Sequence, residues 1–442
     1  MSTAKKIFLG IGVLVISALA YGFYFGLQYA YIGSSYNAKT VCSCMFVSGR
    51  DLNSIKNEDL YAVPYSNISV DEENKTVSVD IYGLAKTKAI YRKGLGCTLV
   101  NELTEEEIRK QPGVPPADSA KSYLVWGDSL NASIDKVALT KAVEDVFTEK
   151  DPQNIKRTRA VVVLYKGKII AEKYADNIPQ GTPLLGWSMT KSVTSTLIGL
   201  LVKDGKIDIK KPAPVAEWAA DARNKITTDH LLRMSSGLAF EENYAAPSDA
   251  TKMLFRSKAA GEYAIQSKPA TDPDKVWSYS SGTTNILQEI IRRQFKTHAD
   301  YLAFPHIRLF HKLGMKSAVL EPDASGTYVG SSFMYANARD WAKYGQFYLQ
   351  DGIWNGERLL PEGWVKYSST ETPHSDGKYA AQFWVDHRDK TFPQDAFFAD
   401  GFEGQFVTVI PSKEMVIVRL GCTPGKGFNH VEFVKSVVKA VR

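Results

Sequence analysis

Runs of apolar residues divide the chain into regions of different character. After Lys5 and Lys6 no charged side chain occurs before Lys39, and Ile7 to Ile32 is strongly apolar throughout. As a helix, such a run is long enough to cross about 30 Å of hydrocarbon. Further on, Ala160 to Tyr165 and Ile169 to Tyr174 are β-rich runs separated by Lys166-Gly167-Lys168, and they predict a hairpin. Phe406 to Ile410 and Met415 to Leu420, separated by Pro411-Ser412-Lys413-Glu414, predict a second one. Helices are expected over Asp135 to Phe147 and Val431 to Val441. Strands from both ends of one segment, with helices between, imply an α+β domain: a central antiparallel sheet, helices on both faces and an inserted helical lobe. Val193 to Val202 reads VTSTLIGLLV and carries no charge on any face, as expected of a helix buried at a protein centre.

These patterns give three parts. Residues 1–34 are a membrane-directed segment, 35–134 a small polar extension with strand-like pieces such as Thr76 to Tyr82, and 135–442 the main domain. The linker between extension and main domain falls near 111–118, where three prolines and a glycine discourage helix and central strand. The first part has two readings. Ile7 to Ala20 is the core of a signal peptide cut after Ala18-Leu19-Ala20, leaving a secreted protein, or the whole segment stays as an anchor. Tyr21, Phe23, Tyr24, Phe25, Tyr29 and Tyr31 suit an interfacial aromatic belt and favour the anchor. The flanking lysines then stay cytoplasmic and the rest of the chain lies outside, periplasmic or extracellular.

Composition adds little to this picture. A chain of 442 residues with 44% hydrophobic side chains buries a large core. The net charge of +6 is scattered without a basic stripe, which argues against a nucleic-acid partner. The four cysteines agree with export, one of Cys42 and Cys44 being placed to bridge to Cys97. The seven histidines have no zinc-binding spacing, and neither a metal nor an organic cofactor is expected.

The candidate chemistry lies at the start of the buried helix. Ser188 and Lys191 are three apart, hence on one helical face, and a lysine kept neutral by burial can take a serine proton. Ser-x-x-Lys alone is weak, because it also occurs at Ser2/Lys5, Ser133/Lys136, Ser375/Lys378 and Ser436/Lys439. The Gly-x-Ser-x-Gly elbow of the Ser-His-Asp hydrolases is absent, the local sequence being Gly186-Trp187-Ser188-Met189-Thr190. A second cluster, Trp277 to Leu287, contains Tyr279. Beside a lysine ammonium its phenol is expected to have a lowered pKa and to relay protons, though the same residues also read as a polar turn capping a helix from Thr283.

Together these segments resemble the serine hydrolases related to class C β-lactamases, a group with the β-lactamase/penicillin-binding-protein-like fold that includes D-alanyl-D-alanine carboxypeptidases, esterases and 6-aminohexanoate-dimer hydrolases. Ser188-Met189-Thr190-Lys191 matches the nucleophile motif, and His230 to Leu238 resembles the LLxHTSGL segment. Tyr279-Ser280-Ser281 resembles the Tyr-x-Asn element, and Ala338 to Gly345 the ARDMARFG helix. The resemblance implies Ser188 as nucleophile, Lys191 as base and Tyr279 as proton relay. Tyr335-Ala336-Asn337 fits Tyr-x-Asn more closely but lies outside the family's usual interval from the nucleophile. Ser281 stands where β-lactamases have an asparagine near the substrate amide. Asp400-Gly401-Phe402-Glu403-Gly404-Gln405 replaces the Lys-Thr-Gly strand motif. A backbone N–H near Gly401 or Phe402 would complete the oxyanion hole with that of Ser188.

Losing the cation that binds a substrate carboxylate directs the expectation to small esters or linear amides, the 6-aminohexanoate-dimer hydrolase and esterase branch. A D-Ala-D-Ala carboxypeptidase or β-lactamase, and a catalytically silent binding or sensor protein, are the alternatives. The sequence leaves the oligomeric state open.

Overall fold

In the computed structural model, residues 3–116, 124–127, 133–425 and 427–441 are described. The linker positions Ala117 and Asp118 lie outside the described residues.

Helix α1, Thr3–Phe46, is one continuous helix, and residue 34 lies inside it. Its N-terminal part is exposed and apolar, whereas Gly33 to Cys44 is almost entirely buried against the rest of the protein. Polar residues in this buried stretch find partners. Asn37 donates to the Val63 carbonyl at 2.8 Å, and Lys39 pairs with the Glu321 carboxylate. Cys42 is bonded to Cys97 with Cα atoms 6.0 Å apart, while Cys44 is a buried free thiol.

Strands β1 (Asn67–Asp71), β2 (Thr76–Ile81), β3 (Leu84–Arg92) and β4 (Gly96–Leu99) form an antiparallel meander beside α1. Tyr82 and Gly83 make the β2–β3 turn, with Ile81 paired to Leu84.

In the main body, α2 (Lys136–Phe147) precedes the hairpin β5 (Thr158–Tyr165) and β6 (Lys168–Tyr174). After α3 (Met189–Lys203), α4 (Ser281–Arg292) and α5 (Ala338–Leu349) come β7 (Trp384–Val385), β8 (Phe397–Gly401), β9 (Gln405–Ile410) and β10 (Met415–Gly421), then α6 (His430–Lys439). The sheet order is β7-β8-β9-β10-β5-β6, antiparallel throughout, so the two expected hairpins meet at the β10–β5 pairing, Val418 opposite Val162. Alternation sends Val162, Leu164, Val407 and Val416 to a core shared with α3 and α5, and Val161, Val163, Phe406 and Ile417 to one shared with α2 and α6. Both faces are covered, which is why these strands read as near-continuous apolar runs. The inserted helical lobe, with α4, lies in sequence between β6 and β7.

Candidate active site

Ser188 stands where the chain turns from the short strand Leu184–Leu185 into α3. Trp187, immediately before it, has φ +47°, a left-handed conformation costly for a bulky residue. Its side chain is held on several sides. The indole donates to Glu403 Oε2 at 3.2 Å, stacks parallel to Tyr36 of α1 at 6.3 Å, and meets the edge of Phe402 at 5.8 Å. A serine at a helix N-cap ordinarily accepts from its own helix, but Ser188 makes no such bond, so its hydroxyl is available.

Lys191 lies one turn on and is 1% exposed. Its Nζ donates to Ser188 Oγ at 3.1 Å, Ser281 Oγ at 3.0 Å and the Ser331 carbonyl at 2.9 Å, one acceptor for each ammonium proton. Burial lowers its pKa to about 8 against the opposing pull of the Glu242 carboxylate. The amine is therefore neutral in a useful fraction near pH 8.

Tyr279 precedes α4, its ring centroid 4.9 Å from Lys191 Nζ. The ring packs against Trp384 and Tyr379 at 5.3 and 5.8 Å. The segment resembling LLxHTSGL holds this loop: Ser278 N–H donates to the Met234 carbonyl at 2.9 Å, and Asp274 N–H to that of Ser235. The expected lowering of the phenol is not met. Burial raises the Tyr279 pKa well above its ordinary value, a hydrogen bond with Ser188 opposes the rise, and Glu242 and Asp400 add to it. Desolvation dominates, so Tyr279 is a neutral phenol that can pass a proton on but is not a standing phenolate.

Ser281 is turned toward Lys191 and Glu242. Its hydroxyl donates to Glu242 Oε1 at 2.6 Å and its N–H to Oε2 at 2.8 Å. Tyr244 completes the cluster, 2.6 Å from Glu242 Oε1 and 2.9 Å from Ser281 Oγ. Glu242, Tyr244 and the Ser331 carbonyl were not singled out in the sequence, because they lie on loops without periodicity or motif spacing. Gly401 ends β8 against the nucleophile turn, where a Cβ would lie 2.1 Å from the Gly186 carbonyl, so only glycine fits. Phe402, 58% exposed, stands beside Trp187. Asp400 is raised to about 7 by burial. The rival Tyr335 is 1% exposed, paired with Leu185 in a short strand and hydrogen-bonded to Ser43 of α1. The neighbouring Asn337 is the N-cap of α5, accepting from Asp340 N–H at 2.8 Å.

The arrangement is a hydroxyl on a buried, partly neutral amine, with a phenol beside both and backbone from β8 closing the far side. It suits acyl transfer. Comparison with known proteins shows the family and the fold. A family model described as Beta-lactamase matches residues 146–430. The 6-aminohexanoate-dimer hydrolase of Paenarthrobacter ureafaciens is 24% identical over 300 residues, covering 62% of this chain and 74% of that protein. Among solved structures, the "Putative 6-aminohexanoate-dimer hydrolase from Bacillus anthracis" superposes with a TM-score of 0.60 at 21% identity, over 75% of this chain and 90% of the other. A family VIII carboxylesterase superposes with a TM-score of 0.55 at 14% identity, over 73% and 99%.

Proposed function

The chain belongs to the beta-lactamase family and is a hydrolase related to 6-aminohexanoate-dimer hydrolase and to esterases, and from that premise we propose that it cleaves small esters or linear amides through an acyl-enzyme on Ser188. The observation that carries this reading is the Lys191 amine, desolvated to a pKa of about 8 and hydrogen-bonded to Ser188 Oγ at 3.1 Å. Ser188 Oγ bonds to the substrate carbonyl carbon while its proton passes to Lys191. Tyr279 gives its phenolic proton to the leaving oxygen or nitrogen, the bond to that atom breaks, and Lys191 returns the proton to Tyr279. Water then adds to the acyl carbon by the reverse transfers, the bond to Oγ breaks, and the acid leaves. The N–H of Ser188 and one from Gly401 or Phe402 receive the oxyanion. The Asp400-Gly401-Phe402 stretch places no cation on this strand to pair with the carboxylates carried by β-lactams and D-Ala peptides.

In this reading residues 135–442 perform the chemistry and 35–134 form the extension. The N-terminal helix, long and apolar enough to cross a membrane, is the anchor, with the catalytic domain outside the cytoplasm, where the Cys42–Cys97 bridge is stable.

Fluorophosphonate labelling of the full chain tests the nucleophile. Wild type should acquire one label on the Ser188 peptide and hydrolyse p-nitrophenyl acetate, and Ser188→Ala should do neither. An unlabelled wild type rejects the reading, while nitrocefin turnover faster than acetate turnover makes β-lactams the substrate.

The pH profile tests the base. Acylation requires neutral Lys191, so its rate should rise with pH through an apparent pKa near 8. Glu242 favours the ammonium, so Glu242→Gln should move that limb to lower pH. A profile that stays in place in this variant removes Glu242 from the electrostatics of the base.

A further inference from the structure

An apolar cleft of about 600 Å³ runs between α1, the small sheet and the loop carrying Tyr244. Phe23, Gly26 and Leu27 form its α1 wall, Tyr65, Tyr82 and Leu84 the opposite wall. None of its described lining residues is charged. Tyr82 is 77% exposed and Leu84 52% exposed at the β2–β3 turn, and Tyr65 stacks on Tyr82 at 6.2 Å. Such a patch is unfavourable in water but suited to a bilayer interface.

Its position along α1 says where it opens. About twenty helical residues cross the hydrocarbon of a bilayer, so a span that starts near Ile7 reaches the outer boundary near Gly26. A cleft whose α1 wall begins at Phe23 therefore opens at that boundary, continuous with the exposed apolar surface of the span. Tyr244 is also among its lining residues, and its hydroxyl is 2.9 Å from Ser281 Oγ. Ser281 Oγ is 3.0 Å from Lys191 Nζ, which is 3.1 Å from Ser188 Oγ. One wall residue of the cleft is thus hydrogen-bonded to the catalytic cluster.

We propose that this cleft seats the acyl chain of an amphiphile resident in the outer leaflet and presents its ester or amide to Ser188. The proposal rests on the acyl-enzyme reading and on the anchored helix, and it names the substrate class of that site. The chain of the substrate lies between α1 and the β2–β3 turn, and the carbonyl enters past Tyr244. The bonds made and broken are those of the acyl-enzyme cycle above. At Gly26 a Cβ meets nothing within 4 Å, so the cleft is open there and a large side chain would fill it.

Two measurements test this on the full chain in phosphatidylcholine bilayers. In the first, a phosphatidylcholine bearing a diazirine at the end of its acyl chain is photolysed and the labelled peptides are mapped. Label is expected on the peptides holding Tyr82–Leu84 and Tyr244 as well as on the span. Gly26→Trp, or Leu84→Glu should the first variant fold poorly, should lower label on those two peptides at least fivefold relative to the span. In the second, kcat/KM is compared for p-nitrophenyl dodecanoate and acetate. Each methylene seated strengthens binding about fourfold, so losing about two of them predicts a fall in the dodecanoate-to-acetate ratio of about fifteenfold in either cleft variant. Ile11→Trp, on the exposed span outside the cleft, should leave the ratio unchanged. Label confined to the span, or one ratio for all four proteins, overturns the proposal. Photolabelling needs no turnover, so label in the cleft without Ser188-dependent hydrolysis would reject the acyl-enzyme reading and leave the cleft standing.

Discussion

Lys191→Met is expected to slow acylation by p-nitrophenyl acetate about a thousandfold, within the range of a positioned general base. Methionine keeps length and apolar volume but removes the amine bonded to Ser188 Oγ. The fold should survive, because α3 is anchored on every other face by Val193, Leu197, Ile198, Leu200 and Leu201, all fully buried. Stability should change with pH in a defined sense. The Lys191 pKa is depressed from 10.5 to about 8 in the folded protein. Burying its charge therefore costs stability fully below pH 8, and the cost fades as pH rises from 8 to 10.5. The variant carries no such cost, so its stability relative to wild type should improve as pH falls across that window. Stopped-flow acylation and urea unfolding at pH 7 and 10 check both parts. Acylation within tenfold of wild type would remove Lys191 as base, and a pH-independent difference in stability would mean that its amine is not desolvated.

The main sheet was legible in the sequence for a physical reason. Residues such as Val161 to Val163 and Val416 to Val418 are buried on both faces, and β-branched runs of that kind have few alternatives. The Ser188/Lys191 pair was legible because helical spacing brings i and i+3 together without help from distant sequence. Tyr279 could be reached only through resemblance, since what puts it beside Lys191 is a loop held by Met234 and Ser235. Glu242 and Tyr244, which meet Ser281, gave no signal at all. They lie on a loop that meets the first residue of α4 through a few hydrogen bonds, and nothing in composition or periodicity marks such a meeting. The extent of α1 was hidden differently. Gly33-Ser34-Ser35 reads as the polar end of an anchor, but Ser34 bonds the Tyr31 carbonyl, and Asn37 and Lys39 find partners elsewhere in the protein, so the helix runs on to Phe46. Tyr335-Ala336-Asn337 illustrates the converse: a motif-like triplet explained by a buried tyrosine near α1 and an ordinary helix cap.

Glu321→Ala should destabilise the protein by about 3–5 kcal/mol, the usual cost of leaving one member of a buried ion pair alone. Glu321 is fully buried, and its carboxylate accepts from Lys39 Nζ, from Ser43 Oγ at 2.8 Å and from Cys97 N–H at 2.6 Å. It therefore ties both ends of the Cys42–Cys97 neighbourhood to the main body. Gly96 permits the approach, since a Cβ there would lie 2.3 Å from Glu321 Oε1. Without the carboxylate, Lys39 keeps the Ser43 hydroxyl at 3.2 Å and the face of Phe333, 4.4 Å from its Nζ, two uncharged partners that offset little of the lost pairing. Lys39→Met/Glu321→Leu removes the orphan charge and should recover most of the loss, because apolar replacement of a whole buried pair is often neutral. Urea unfolding of the full chain in detergent, followed by far-ultraviolet circular dichroism and by ester hydrolysis, gives the test. The pair joins α1 to the body and not the sheet to itself. Tyr36, three residues before Lys39, stacks on Trp187 beside the nucleophile. Activity of Glu321→Ala should therefore be lost at a lower urea concentration than the sheet signal. Coincident transitions, or a single variant within about 0.5 kcal/mol of wild type, the scatter of ordinary surface changes, would show that α1 is held by its apolar contacts and disulfide, and that the nucleophile turn does not depend on this pair.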